Sequence, residues 1–583
     1  MTIPQEQSTP KRVAVVGSGL AGLTAAHFLQ ESGFTVHLFE KASTVGMDAG
    51  SLTVEGVRVD VPFRVFNPDY YPYLYRMYKH LGIGFAAADY SLAFTRDKAK
   101  TVWSYTNISL GDFQVPIPDQ MALVDRMAIT RDWVRLVFLC LKVMTMPHLL
   151  RPGGRLDQTP IGVYLSEEGY TREFCDLVFV PFLASLFTCS LSAAAAYPAN
   201  TVLHFVSKAV YGARLRKAKN GVQEVCDILT KSLACVHLNA SVRQIVLPKE
   251  GADEREIVLV TQDGQEHRFD VIVMATPADI TASLLQRQQQ GPKAAYPPSD
   301  LLSALQSVPY ESALVVTHRD DSVMPSNCDD WRGVNIGTVA GKQHAMASHW
   351  INHVERTTTG RKLTSGVFQT VNPLVPLDEK KVLSSTLFHR SLLTVDSQAQ
   401  INTVHKYQGE SNVWFVGTYT SPGVPLLEGC VRTAVDVVHA MGGKLPFDPP
   451  KMTRRTANGG GEEGFEYEVG LGPGMARGEV VEAYFECDAA GTFVLARPPL
   501  TPPSGSGSSS VAAWSGWLQA WGAWLGFAVF LPLLILVLSL SDRILLAALG
   551  NDLGNSVQMA ALDAVLYAMC GVRFLYKQLA LSQ

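Results

Sequence analysis

The sequence has no paired cysteines at metal-binding spacing, no block of like charge and no apolar stretch at its start. Its nine cysteines run from Cys140 to Cys570 without a single CxxC, and their number is odd. That pattern argues against a disulfide framework or a zinc-ribbon site and suits reduced thiols in a cytosolic setting. Lys and Arg number 49 against 53 Asp and Glu, for a net charge of −4, which lacks the basic footprint of a nucleic-acid partner. The opening MTIPQEQSTPKR has no apolar h-region, so a secretory leader is not expected. Asn107-Ile108-Ser109 then reads as a chance glycosylation match. GxSxG is missing too, which removes nucleophile-elbow chemistry.

What is present is length and apolar content. A chain of 583 residues exceeds one compact core. With 47% hydrophobic and 17% charged residues, it can fill a large interior and still supply a membrane segment. Residues 12–16 (RVAVV) read as a strand, Leu20 to Glu31 as a helix ended by Gly33, and Thr35 to Phe39 as a second strand. Strand, helix and strand within so few residues imply a parallel crossover.

The turn between the first strand and the helix is Gly17-Ser18-Gly19-Leu20-Ala21-Gly22, a GxGxxG. Gly17 permits a tight turn, Gly19 lets backbone approach a pyrophosphate, and Gly22 lets the helix pack closely. The helix N-terminus offers unpaired N–H groups and a positive dipole end to phosphates. Glu40 closes the second strand, where a carboxylate accepts hydrogen bonds from a ribose diol and repels a 2′-phosphate. The unit therefore implies a dinucleotide other than NADP, and by itself leaves FAD and NAD open.

VAVVGSGLAGLTAAHFLQESGFTVHLFEKASTVG resembles the N-terminal signature of the flavin amine-oxidase and phytoene-desaturase superfamily. Residues 59–83, 310–336, 367–374 and 413–442 are similar to one branch of it, the amine-oxidase-like proteins associated with cyclopropane-fatty-acid synthases. The resemblance covers about 11–443 and implies FAD. It implies that Lys41 lies near the adenosine ribose, that Gly46 is a cofactor-binding residue, that Val242 touches the adenine edge through its backbone, and that Ala275, Thr276 and Pro277 close a loop. Gly417 belongs to the matching C-terminal segment. Glu428 and Gly429 would open a helix whose N-terminus faces the flavin. Departures from the family pattern fall at Gly46-Met47, at Asp60-Val61-Pro62 where Asp-x-Gly is usual, and at Pro425-Leu426-Leu427. They bear on the substrate pocket more than on the cofactor. Arg64 and Tyr419 fall near family pocket positions without an assignable role.

The expected architecture is α/β: a discontinuous Rossmann-like FAD-binding domain with an α+β substrate domain, plus a C-terminal membrane helix. The FAD-binding parts are 11–75, 221–290 and 406–445, and the substrate-domain parts are 76–220 and 291–405. Residues 446–512 read as linker and extension, with GGGEEG at 459–464 and PPLTPPSGSGSSS at 498–510. Residues 513–583 read as a membrane-anchor region, in which 521–540 are twenty residues without a charge, long enough to span about 30 Å. Trp514, Trp517, Trp521 and Trp524 would anchor one end. Residues 70–220 read as mostly helical, and Trp133 to Leu150 as a core helix, with a lipid-facing surface the alternative.

The remaining polar residues carry less. His318, Arg319, Asp320 and Asp321 read as a solvated turn. His349 and His353 could share a helix face, with His344 nearby, but they show no metal-ligand spacing, and no metal is expected. The leading expectation is an FAD-dependent oxidoreductase of oxidase or desaturase type. It would act on a hydrophobic substrate such as a lipid or isoprenoid, tethered to a membrane with its FAD domain in the cytosol. The alternatives are a flavin-dependent double-bond isomerase without net redox and a catalytically decayed flavin-binding protein.

Overall fold

A computed structural model describes residues 10–447 apart from 47–50, 98–99, 111–112, 119–126, 146, 152, 210–213, 249–255, 288–295 and 355–362, together with 485–487 and 493–495. The chain divides into two units, Met1–Leu471 and Gly472–Gln583. In the second, the described residues are two short antiparallel strands, Phe485–Cys487 and Phe493–Leu495. The expected linker tracts at 459–464 and 498–510 and the apolar run 521–540 lie outside the described residues. Among the described residues, no helix is long and apolar enough to cross a membrane.

In the first unit the chain opens with β1 (Arg12–Val16), α1 (Leu20–Glu31) and β2 (Thr35–Phe39). Val13 to Val16 and nearly every side chain of α1 as far as Leu29 are buried. A helix so apolar all round must be covered on more than one side. It is held between the sheet and a much later helix. The hairpin β3 (Ser51–Val54) and β4 (Val57–Asp60) and helix α2 (Pro72–His80) follow. Further on come α3 (Val222–Thr230), β5 (Cys235–His237), β6 (Val271–Met274), β7 (Val413–Phe415) and α4 (Leu427–Ala440).

Five of these strands make one all-parallel sheet in the order β5-β2-β1-β6-β7. Its strands come from three distant stretches of the chain. A three-stranded antiparallel sheet, 242–246, 257–261 and 266–269, lies between β5 and β6 in sequence. Cys235–His237 is not part of this meander; it joins the parallel sheet as β5.

An eight-stranded mixed sheet forms a second layer system, in the order 382–391, 310–318, 368–371, 346–350, 334–338, 92–96, 100–110, 113–118. The last three strands correct the mostly helical reading of 70–220. KTVWSYTNISL at 100–110 alternates polar and apolar residues and carries β-branched and aromatic side chains, a strand pattern. Beside it, helix Met127–Thr145 turns Trp133, Leu136, Cys140 and Val143 into the interior. Trp133 packs tilted against Trp103, with ring centroids 4.8 Å apart. The core-helix reading of Trp133–Leu150 holds as far as Thr145, while Pro147–Leu150 is a separate 3-10 turn.

Asp60 joins the two layers. Its carboxylate accepts from Ser51 Oγ at 2.8 Å and from the Val222 N–H, the first residue of α3, at 2.8 Å. Its carbonyl accepts from Gln369 Nε2 at 3.0 Å, in the mixed sheet. The next residues carry the Val61–Pro62 peptide, which is cis. Replacing Asp60 by Ala uncaps α3 and leaves a buried N–H unpaired, so Asp60→Ala should lower stability by about 1–3 kcal/mol. Urea unfolding of parent and variant measures this; equal midpoints would show that the carboxylate holds nothing.

Candidate functional site

The carboxyl ends of the parallel strands converge. Val16 sits level with Phe39 of β2 and Met274 of β6, and Met274 sits level with Phe415 of β7. The residues just beyond them are Gly17, Glu40, Ala275 and Val416, with Gly417 following Val416. In open α/β sheets ligands bind outside this edge, where the strand order reverses. Here it reverses at β1, which has β2 on one side and β6, reached much later in the chain, on the other.

Close packing fixes the turn. Gly17 has φ +106° and lies against Ala275, whose carbonyl oxygen would be 2.8 Å from a Cβ at position 17. A Cβ at Gly22 would be 2.0 Å from the Gly17 carbonyl oxygen and 3.0 Å from Ala275 Cβ. Position 22 therefore accepts only glycine. A Cβ at Gly19, by contrast, meets nothing within 4 Å. It stands immediately before the first turn of α1, where backbone N–H groups lack helical partners.

Glu40 is tied to the same turn. One carboxylate oxygen accepts from Ser18 N at 3.0 Å and Ser18 Oγ at 2.6 Å, and the other from Ala42 N at 2.9 Å. These three bonds leave acceptor capacity on a group with about four lone-pair positions. Gly46 N–H donates to Ser18 Oγ at 3.3 Å. Leu20 and Ala21 begin α1 and are buried, while Lys41 is exposed. Val242 is half-buried at a register shift of its strand. It sits two residues beyond Ala240, whose N–H donates to the Glu40 carbonyl at 2.9 Å. Gly17 to Gly22, Glu40, Gly46 and Ala275 thus form one cluster, with Val242 at its side. Met47 lies outside the described residues.

Gly417, Glu428 and Gly429 gather at the start of α4. Gly417 N–H donates to Thr433 Oγ1 at 3.1 Å, and Gly429 packs on Ser421. Glu428 is 9% exposed, and its carboxylate points at α2. It accepts from Tyr73 N at 3.0 Å and Leu74 N at 3.1 Å, the first turn of that helix. Burial pushes its carboxyl up to about 7, against those donors and the charges of Arg432 and Arg76. Asp436, one helical segment on, is pushed up to about 6 by burial, against Arg432.

Several polar residues sit differently from their sequence reading. His318 and Asp320 are buried rather than solvated; His318 Nε2 meets Thr370 Oγ1 at 2.8 Å. His349 is on strand 346–350, so it shares no helix face with His353. Its ring contacts the Tyr90 hydroxyl at 3.2 Å and the Gln369 carbonyl at 3.3 Å. His353 pairs with Asp89 at 2.7 Å, and His344 faces Glu311. These three histidines do not converge. Tyr419 is buried beside Gly417, and Arg64 lies between β4 and α2.

Residues 15–81 match the NAD(P)-binding Rossmann-like domain family. The matched stretch runs from within β1 to just past α2 and carries the glycine turn and Glu40. One curated relative, lysine-specific histone demethylase 1 homolog 3 of Arabidopsis thaliana, is 38% identical over a stretch covering 10% of this chain and 4% of that protein. The chain thus spans a small fraction of that relative's length. Among solved structures, a CLA-producing fatty acid isomerase from P. acnes is similar at 13% identity, covering 74% of this chain and 99% of that one, with a TM-score of 0.51. Cyclohexylamine oxidase from Brevibacterium oxydans is similar at 14% identity, covering 74% and 98%, with a TM-score of 0.50. An oxidoreductase from Methanosarcina mazei is similar at 12% identity, covering 73% and 100%, again at 0.50. At such identities these likenesses show the fold.

Gly22→Ala should cost about 3 kcal/mol or prevent folding through overpacking, whereas Gly19→Ala should keep the parent's melting temperature; equal melting temperatures for all three would contradict the close approach. For Glu428, the folded protein keeps a proton that the unfolded chain has lost between about pH 4.5 and 7. Stability should therefore fall as pH rises through that window. Glu428→Gln, which loses one acceptor worth about 1–2 kcal/mol, should trail the parent most near pH 5 and least near pH 8. Denaturation series at both pH values test this, and a pH-independent gap overturns it.

Proposed function

We propose that the chain is an FAD-dependent oxidoreductase acting on a hydrophobic substrate. The observation that carries the reading is the convergence of Gly17, Gly19, Glu40, Ala275 and Gly417 at one sheet edge, with open space over Gly19 and spare acceptor capacity on Glu40. Those features suit a pyrophosphate at the α1 N-terminus and a ribose diol at Glu40. Ala275, Val242 and the N-terminus of α4 would hold the rest of the group. Because the Glu428 carboxylate is directed to α2, the helix end itself is what α4 offers, and its positive dipole favours negative charge on a reduced flavin. When bound, FAD supplies hydride acceptance at N5, and the protein orients the substrate and tunes that acceptance.

A hydrophobic substrate is favoured by the apolar run 521–540, which would tether the enzyme to a bilayer with the FAD domain on the cytosolic side. Resemblance to the branch associated with cyclopropane-fatty-acid synthases supports a lipid. The second reading is an isomerase without net redox, since a fatty acid isomerase and an amine oxidase share this fold. A substrate of unchanged mass after turnover would select it.

The test begins with the full-length protein purified in mild detergent. The expected result is a flavin absorbance spectrum with FAD released on denaturation, and roughly tenfold or weaker retention in Glu40→Gln, which loses charge-assisted acceptance. Colourless protein without FAD sinks the proposal. Reduction of the flavin by a lipid extract without oxygen, then reoxidation in air, would argue against a decayed pocket.

A further inference from the structure

His37 and Cys235 are 198 residues apart in sequence and adjacent in space. They are register partners on the parallel strands β2 and β5. His237, two residues on from Cys235, projects from the same face, because side chains alternate along a strand. One ligand atom from each of the three, two imidazole nitrogens and a thiol sulfur, lies within 4.8 Å of the others. Among the described residues this is the one group of its kind.

The geometry is close to that of a coordination site. His37 Nδ1 and His237 Nε2 are 3.2 Å apart. Two nitrogens bound to a tetrahedral zinc at about 2.0–2.1 Å would sit about 3.3 Å apart. The atoms that share a proton here are therefore already spaced to share a metal ion. Their rings are held by aromatic neighbours. Phe39 stacks flat on His237 at 4.4 Å and 8°, and Phe269 meets His37 edge-on at 5.3 Å. Preorganised ligands of this kind lower the cost of capture. All three side chains are half-buried, which leaves a path for an ion to enter.

The charges around the group permit a cation. Burial lowers the affinity of both imidazoles for protons, and so does the neighbouring His267; for His37, Arg12 adds to this. Neutral imidazoles keep the lone pairs that a metal needs. Arg12 is itself paired with Glu256 and Asp270, which offsets its repulsion of a cation. His267 stands 4.9 Å from His237, ring to ring, on the overlying three-stranded sheet.

We propose that His37, Cys235 and His237 form a binding site for a borderline divalent transition ion, of which Zn²⁺ is the representative, with water in the fourth position. Two imidazoles and a thiolate are a ligand set for such ions rather than for calcium or magnesium. On binding, His37 Nδ1, His237 Nε2 and Cys235 Sγ each form one bond to the ion, the two imidazoles carry their protons on the outward nitrogens, and the thiol releases one proton to solvent. No electron changes hands. The ion would clip the edge strand β5 to β2. It would sit beside the segment that holds Glu40, since Glu40 N–H donates to the His237 carbonyl at 2.9 Å.

The experiment is calorimetric titration of the metal-stripped full-length protein with Zn²⁺ in two buffers of different ionisation enthalpy, alongside Cys235→Ser, His37→Gln and His237→Asn. Expected are one tight ion per chain, release of about one proton, and at least tenfold weaker binding in each variant. A zinc-dependent rise in melting temperature should appear in the parent and vanish in Cys235→Ser. Circular dichroism identifies any variant that fails to fold, and the folded ones decide. Equal zinc affinity in the parent and every folded variant, or no tight binding in the parent, overturns the proposal. The readout does not depend on which dinucleotide the protein carries.

Discussion

The contact between Gly22 and the carbonyl of Gly17 sets the depth at which α1 lies on the parallel sheet. With no side chain between them, the helix start is pulled onto the turn after β1, and Ala275 closes over it from the neighbouring strand. Everything at the candidate site inherits its position from this seat. Ser18 is placed so that its N–H and hydroxyl both reach Glu40, which aligns β2 with the helix. Ala275 in turn continues β6, and β6 positions β7 and Gly417. A displacement of α1 by even one methyl radius would therefore be felt along the whole edge, because a packed interior has little slack.

The legible part of the fold was the part held together by short-range rules. The span of β1, α1 and β2 follows from apolar runs and glycine turns, and the structure places those elements at 12–16, 20–31 and 35–39. The strands between 92 and 118 were not legible, because they lie next to long helical stretches and their alternation was outweighed by that context.

The side-chain groups divide along the same line. Ser18 and Glu40 are tied to each other by a motif of known spacing. The orientation of Glu428 is set by α2, 354 residues earlier, and no local pattern reports it. His318 and His349 were misplaced for a related reason. A histidine looks polar in sequence, yet each finds hydrogen-bond partners inside the mixed sheet that make its burial tolerable. The grouping of His37 with Cys235 and His237 arises only when β5 is laid beside β2.

The three-part origin of the parallel sheet also has a temporal meaning. β1 and β2 emerge first during synthesis, but β7 and α4, which cover the far side of the sheet and of α1, lie some 400 residues later. At about 5–20 residues per second, α1 would wait roughly 20–80 s for its cover. During that interval β1 and β2 cover one side of α1, and the side that α4 will cover stays open on a helix made mostly of Leu, Ala and Phe.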